Sequence, residues 1–102
     1  MSQPKTSFAS LIQSSQPVLV DFYADWCGPC HAMAPVLREL AAEMKEKANI
    51  IKVDVDKNPQ VAQAYQIMGI PTFILFQEGQ VKWRGSGVMP KTQLKNVIEQ
   101  FA

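Results

Sequence analysis

The stretch VDFYADWCGPC, residues Val20–Cys30, joins an apolar run to a closely spaced pair of cysteines. These are the only two cysteines of the chain, and a disulfide between them would enclose only Gly28 and Pro29. A disulfide that stabilises a fold mainly by restricting the unfolded chain does more when it closes a long loop. The spacing therefore favours a redox-active disulfide over a structural one.

The residues on either side of this pair predict a strand followed by a helix. The nearly continuous apolar run from Val18 to Ala24 is typical of a central strand covered on both faces. A helix opens at Gly28-Pro29 and ends near Lys47, and we expect Pro35 to bend it because proline removes a backbone donor. The sheet and helix therefore meet at the cysteine pair.

The remaining elements complete an α/β pattern in a single domain, 1–102. The helix after Val55 is predicted to be capped by Asn58 and opened by Pro59. Glu78-Gly79 signals a hairpin between two strands, so the sheet must mix parallel and antiparallel pairs. The predicted elements are a short helix within Ser7–Ser14 carrying Phe8, Leu11 and Ile12, a buried strand Ile50–Val55, strands Thr72–Gln77 and Gln80–Arg84, and a closing helix marked by Leu94, Val97, Ile98 and Phe101.

Composition excludes several classes of partner. The chain of 102 residues has a formal charge of +1, with basic and acidic residues scattered along it, so we expect no nucleic-acid partner. Neither a signal-like apolar core near the N-terminus nor an apolar stretch of about 18 residues occurs, so we expect a cytoplasmic protein with no membrane partner.

The cysteines are predicted to divide the work of disulfide exchange. Cys27 lies where a strand ends and a helix begins, and the unpaired N–H groups of a helix N-terminus favour a thiolate. We therefore predict that Cys27 is the nucleophile. Cys30, one turn further on, is predicted to attack the mixed disulfide and release the substrate as a dithiol. Gly28 and Pro29 keep the ring between them tight.

Two charged residues interrupt the apolar strands. Asp21 is costly among apolar neighbours, and burial would raise its pKa, so it is a candidate acceptor for the Cys30 proton. Lys52 interrupts the next strand in the same way and is a candidate ion-pair partner for Asp21. A buried ion pair with no catalytic role explains the two residues equally well.

The sequence Gly69-Ile70-Pro71-Thr72 places a proline directly before a strand. Since only about 5–6% of X–Pro bonds in folded proteins are cis, the residues alone favour a trans proline at the start of a strand.

The chain resembles the thioredoxin family in the order and identity of these residues. The matching positions are Val20–Cys30, Pro35, Lys52, Asn58-Pro59, Gly69–Thr72 and Gly85–Gly87. The resemblance implies a central mixed sheet of four to five strands with helices on both faces. It also implies a protein-disulfide reductase whose Cys27–Cys30 disulfide is recharged by an NADPH-dependent thioredoxin reductase.

The same resemblance assigns roles to individual residues. Asp21 matches the buried proton acceptor, Lys52 its neighbouring lysine, and Pro71 a cis proline facing the disulfide. Ile70 would offer backbone hydrogen bonds to an extended substrate. The residues expected to bind substrate are Trp26, Gly28, Pro29, Gly69, Ile70, Pro71, Gly87 and Val88. We expect a monomer that acts on disulfide-containing proteins without a cofactor.

Two features depart from the family pattern. Residues 1–6 contain no strand-like run, so the usual first strand is expected to be short or absent. His31 follows Cys30 where many members have lysine or arginine, and an imidazole there bears on thiolate stability near neutral pH.

Other functions remain open at this point. Cys27–His31 also fits the C-x-x-C-H attachment signature of c-type haem, but that signature explains neither Asp21 nor Lys52. A structural zinc site would lack one ligand, so no metal is expected. A binding module with an incidental dithiol is a third alternative. Trp83 and Met68 are interpreted as packing residues.

Overall fold

The computed structural model describes residues 7–102, in which four helices flank a four-stranded sheet. The prediction about a first strand in residues 1–6 lies outside the described residues. The elements are α1 (Phe8–Leu11), β1 (Val18–Tyr23), α2 (Gly28–Met44), β2 (Asn49–Asp54), α3 (Pro59–Ala64), β3 (Thr72–Gln77), β4 (Gln80–Ser86) and α4 (Lys91–Phe101).

The sheet is mixed, as expected, with the strand order β2-β1-β3-β4. β1 pairs in parallel with β2, whereas β3 is antiparallel to both β1 and β4. β1 is therefore a central strand, and five of its six residues are buried. The carboxyl ends of β1 and β2 meet at one edge of the sheet, where the two cysteines follow β1.

The expectation that β2 is a buried strand is wrong in its first half. Only Val53 and Asp54 are buried, while Asn49 and Lys52 are exposed. Among residues 7–102, β2 lies at the edge of the sheet and has a neighbouring strand on one side only. An apolar run reports the composition of a strand but not its place in the sheet.

Each face of the sheet has its own apolar core because side chains of a strand alternate between the faces. On one face, α2 and α4 pack against Leu19, Phe73 and Leu75. On the other face, residues of α1 and α3 pack with Phe22 and other alternate residues of the strands. Asp21 lies two residues after Leu19 on the same strand, so its side chain points to the same face of the sheet, toward the layer that contains α2.

The first helix is a single turn capped by the Ser7 side chain, which accepts a hydrogen bond from the Ser10 N–H group. Phe8 and Ile12 pack into the core, but Leu11 is 41% exposed. The predicted apolar face is therefore correct at two of its three positions, since a helix of one turn cannot bury all of them.

Two local predictions about the other helices are corrected in detail. α2 continues through Pro35 and ends at Met44, before the predicted end near Lys47. Asn58 occupies the position before α3, but its side chain makes no capping hydrogen bond. Its amide donates instead to the carbonyl oxygen of Asp54, so this interaction secures the turn after β2. Within residues 7–102, no helix has the length and apolar character needed to cross a bilayer.

Candidate active site

The two cysteines form a disulfide at the start of α2, with Cα atoms 5.3 Å apart. Cys27 occupies the N-cap position, and its sulfur accepts a hydrogen bond from the Cys30 N–H group at 3.1 Å. This donor is one of the N–H groups that an α-helix leaves unpaired at its N-terminus. The backbone of α2 therefore stabilises negative charge on the Cys27 sulfur once the disulfide opens.

The loop before β3 lies directly against this disulfide. The Ile70 carbonyl oxygen is 3.8 Å from Cys27 Sγ, and Ile70 packs against the small buried cluster that contains the two cysteines. A disulfide sulfur carries no proton, so this approach becomes a hydrogen bond only in the thiol form. The Ile70–Pro71 bond is cis, as the family resemblance implies and contrary to the trans bond that the residues alone favour.

Hydrogen bonds join this loop to the segment after β4. Thr72 contacts both the Gly69 carbonyl and the Ser86 hydroxyl, and the Gly87 N–H group donates to the Pro71 carbonyl at 2.8 Å. Gly87 has a φ of +91°, a conformation that other residues rarely adopt. These contacts bring the Gly69–Pro71 and Gly87-Val88 segments together, as the predicted substrate-binding residues require.

Large apolar side chains near the disulfide remain in contact with water. Trp26 is 71% exposed, and its indole N–H group donates to Asp56 Oδ2 at 2.7 Å, which fixes the ring. Val88 is 61% exposed. Gly28 and Pro29 are exposed at the first turn of α2. The predicted binding residues thus include exposed apolar groups on the segments that surround the cysteines.

Asp21 is buried with one carboxylate oxygen, Oδ1, lacking a hydrogen-bond partner. Burial raises the pKa of Asp21 from 3.8 to about 6, and the nearby Lys52 charge opposes part of that rise. The carboxyl group is therefore able to exchange a proton near neutral pH.

Lys52 is the cross-strand neighbour of Asp21 in the sheet, as expected, but the two side chains form no direct ion pair. No carboxylate of residues 7–102 lies within 4.0 Å of the Lys52 ammonium group. That group lies 4.3 Å from the centre of the Tyr23 ring. The predicted buried ion pair is wrong, since Lys52 is exposed and its ammonium group lies over the Tyr23 ring.

The surroundings of His31 and Met68 were not apparent from the sequence. The His31 Nε2–H group donates to the Asp25 carbonyl at 2.6 Å, which ties α2 to the loop before Cys27. Met68 is 94% exposed, so the packing interpretation of this residue is wrong. For Trp83 that interpretation is confirmed, since it packs against the core beside α2 and α4. In the sequence, the only sign that Met68 is exposed is its position directly before the Gly69–Pro71 loop.

One observation bears on the alternative zinc site. In the described part of the chain, no three His, Cys, Asp or Glu side chains are grouped to hold a metal ion.

A disulfide at a helix N-terminus beside a cis-proline loop, on a mixed sheet between helices, defines a thiol–disulfide oxidoreductase with a thioredoxin fold. A solved structure of a mutant thioredoxin from Halobacterium salinarum superposes with a TM-score of 0.87. It is 38% identical, and the match covers 97% of this chain and 86% of that one. The family model described as Thioredoxin matches residues 1–100. The chain belongs to the thioredoxin family.

Curated relatives support the same assignment. Thioredoxin 1 of Chlorobaculum tepidum is 45% identical over 89 residues, covering 86% of this chain and 88% of the relative. Thioredoxin Y2, chloroplastic, of Arabidopsis thaliana is 47% identical over 98 residues, or 95% of this chain, but this chain spans only 59% of that protein's length. A Mycobacterium leprae relative, 49% identical over 87 residues, is a bifunctional thioredoxin reductase/thioredoxin; the match covers 85% of this chain and 19% of that protein. Thioredoxins are thiol–disulfide oxidoreductases, and this chain retains their cysteine pair.

Proposed function

We propose that this chain is a protein-disulfide reductase in which Cys27 attacks the substrate and Cys30 resolves the intermediate. The observation that carries the proposal is the Cys27–Cys30 disulfide at the start of α2. The Cys27 sulfur accepts the Cys30 N–H group, so it is the sulfur on which the helix N-terminus stabilises a negative charge.

The proposed reaction moves two electrons from the dithiol to the substrate. The Cys27 thiolate attacks one sulfur of a substrate disulfide, forming a mixed disulfide and releasing the other substrate sulfur as a thiolate, which takes up a proton. Cys30 loses its proton and attacks Cys27 Sγ. The mixed disulfide breaks, the Cys27–Cys30 bond forms, and the substrate leaves as a dithiol.

Asp21 is the proposed acceptor for the Cys30 proton. Its burial, its unpartnered oxygen and its pKa of about 6 suit a group that takes up a proton near neutral pH. Asp21 also faces the layer that contains α2, the helix on which Cys30 lies. Lys52, its cross-strand neighbour, is the proposed modulator of that proton affinity.

The substrate is proposed to lie across the segments around the disulfide. Exposed Trp26 and Val88 supply apolar contact, and the Ile70 backbone supplies hydrogen bonds in the manner of an added strand. Gly28, Pro29, Gly69, Pro71 and Gly87 allow another backbone to approach closely.

Thioredoxins act with thioredoxin reductase and disulfide substrates, and we propose that an NADPH-dependent reductase recharges this chain. The fused reductase/thioredoxin relative supports coupling between the two activities. That this chain acts as a monomer, and that it acts in the cytoplasm, stay predictions.

Reduction of insulin disulfides, with dithiothreitol as the electron source, tests the proposal. Wild-type protein should accelerate the reaction, whereas Cys27→Ser and Cys30→Ser should not turn over. In a separate reaction, with dithiothreitol removed after pre-reduction, Cys30→Ser should accumulate a mixed disulfide with insulin, because its nucleophile remains while its resolving sulfur is absent.

Three results would contradict the proposal. A wild-type rate equal to that of dithiothreitol alone would exclude general reductase activity. A mixed disulfide that accumulates on Cys27→Ser instead would reverse the roles of the two cysteines. Partner binding that survives Cys27→Ser in a protein without reductase activity would identify a binding module.

A further inference from the structure

Met68 exposes its thioether to solvent, unlike the other methionines that the structure describes. Its side chain is 94% exposed, whereas Met33, Met44 and Met89 are exposed by 1%, 3% and 7%. Access to the sulfur largely determines which methionines of a folded protein are oxidised. The fold therefore presents one readily oxidised methionine among residues 7–102.

The segment that carries Met68 is held in place. The Arg84 guanidinium group donates two hydrogen bonds, one to the Tyr65 carbonyl and one to the Gln66 carbonyl. Gln66, with a φ of +53°, turns the chain out of α3 toward Met68. Met68 is thus exposed on an anchored loop, where an oxidant meets its sulfur in the folded protein.

Met68 also lies within reach of anything that docks on Cys27. Ile70, whose carbonyl oxygen is 3.8 Å from Cys27 Sγ, is two residues away. Two residues of chain span at most about 7 Å. A standard protein interface covers about 800 Å² on each partner, equivalent to a disc of about 16 Å radius. A protein substrate centred on Cys27 is therefore wide enough to extend over Met68, whereas a small disulfide is not.

We propose that Met68 is an oxidation site through which peroxides weaken the binding of protein substrates. In the reaction with hydrogen peroxide, the thioether sulfur loses two electrons and gains one oxygen atom. The O–O bond breaks, a sulfur–oxygen bond forms, and water leaves. A flexible apolar side chain in the docking surface becomes a polar sulfoxide. The inference rests on the proposed reductase function of the same site.

Oxidation of Met68 should weaken the binding of protein substrates and leave the rate of disulfide exchange at Cys27 unchanged. A sulfoxide loses its hydrogen bonds to water when a protein docks over it. Part of the binding free energy that burial of the methionine side chain provides is therefore lost. We expect an increase of about fivefold in KM for a protein disulfide, equivalent to about 1 kcal/mol. The kcat should change little, and KM for bis(2-hydroxyethyl) disulfide should stay the same.

The test begins with the disulfide form, in which the two cysteines of the chain are bonded to each other and shielded from peroxide. After treatment with hydrogen peroxide and its removal, peptide mass spectrometry locates the added oxygen. Insulin reduction is then measured before and after treatment for each variant, so that every protein is compared with itself. We expect oxygen at Met68 before Met33, Met44 or Met89, together with the rise in KM.

Two variants separate Met68 from other targets of peroxide. Met68→Leu should show the same KM before and after treatment, because it has no thioether at this position. Met44→Leu, changed at a buried methionine in α2, should respond to peroxide as the wild type does. Met68→Gln, a polar side chain of similar length, should imitate the sulfoxide without peroxide.

Several outcomes would overturn the inference. Equal oxidation of the buried methionines would remove its structural basis. Complete oxidation of Met68 with an unchanged KM would remove its functional consequence, and equal peroxide sensitivity of Met68→Leu would assign the effect to another group. Failure of untreated wild-type protein to reduce insulin would instead overturn the proposed function, and this inference with it, before any peroxide is added.

Discussion

Replacing Asp21 by asparagine should stabilise the disulfide form of the protein near neutral pH. Burial raises the Asp21 pKa from 3.8 to about 6, so the folded state binds this proton more tightly than the unfolded state does. Stability must therefore fall as pH rises from about 4 through about 6, where the buried carboxyl ionises. A shift of about two pKa units corresponds to about 3 kcal/mol. Asparagine keeps the shape of the side chain and removes this dependence on pH.

Urea unfolding at about pH 8 and about pH 4 measures the effect. With a denaturant slope of about 1–3 kcal/mol/M, a gain of about 3 kcal/mol moves the urea midpoint upward by about 1–3 M at the higher pH. At the lower pH the midpoints of wild type and Asp21→Asn should nearly coincide. The disulfide form is used because its bonded cysteines do not titrate.

Asp54→Asn is the matched control. Asp54 is also a buried aspartate, but its Oδ1 accepts backbone hydrogen bonds from Asp56 and Lys57. Weakening these charge-assisted bonds should cost about 1 kcal/mol, the opposite sign from Asp21→Asn at about pH 8. A gain from Asp21→Asn that is equal at both pH values would refute the reasoning, since the effect would then not come from ionisation.

Three further results are expected. Lys52→Gln should move the pH-dependent loss of stability to higher pH, because the Lys52 charge lowers the pKa of Asp21. Urea midpoints across the pH range measure this shift, and its absence would exclude an electrostatic interaction between Lys52 and Asp21. Trp26→Phe should cost about 0.5–1 kcal/mol because the hydrogen bond to Asp56 is lost, which calorimetry would detect as a melting temperature lower by about 2–8 °C. Gly87→Ala should cost about 1–2 kcal/mol in urea unfolding because φ is +91°, and Gly87→Asn should cost less. A Cβ atom at this position meets no other atom within 4 Å, so equal costs for the two variants would contradict the strain argument.

Local patterns predicted those parts of the fold in which short-range sequence determines structure. The apolar run of β1, the proline at the start of α2 and the Glu78-Gly79 hairpin each specify a structure through neighbouring residues. The partial exposure of β2 could not be predicted in this way, because it depends on which strands lie beside it. The same limit applies to Lys52, because its exposure depends on what packs around β2.

The site was predictable in its chemistry and less so in its contacts. Two cysteines separated by two residues, next to a strand that contains an aspartate, indicate redox chemistry from the residues alone. The cis state of Pro71 came only from the family resemblance, since X–Pro residues do not encode their isomer locally. The exposure of Met68 depends on the course of the chain after α3. No rule based on composition separates such a methionine from a buried one.

Several departures from ordinary folding rules lie in the segments around the disulfide. An unpartnered carboxyl group lies inside the sheet, large apolar side chains face water at Trp26 and Val88, and Gly87 holds a positive φ. Near neutral pH the buried carboxyl group of Asp21 makes the folded state less stable than an asparagine would, because burial penalises its charged form. Groups that break local rules without a structural benefit are expected at functional sites. An Asp21→Asn protein that is more stable yet slower at releasing the substrate dithiol would show that this carboxyl group serves the chemistry and not the fold.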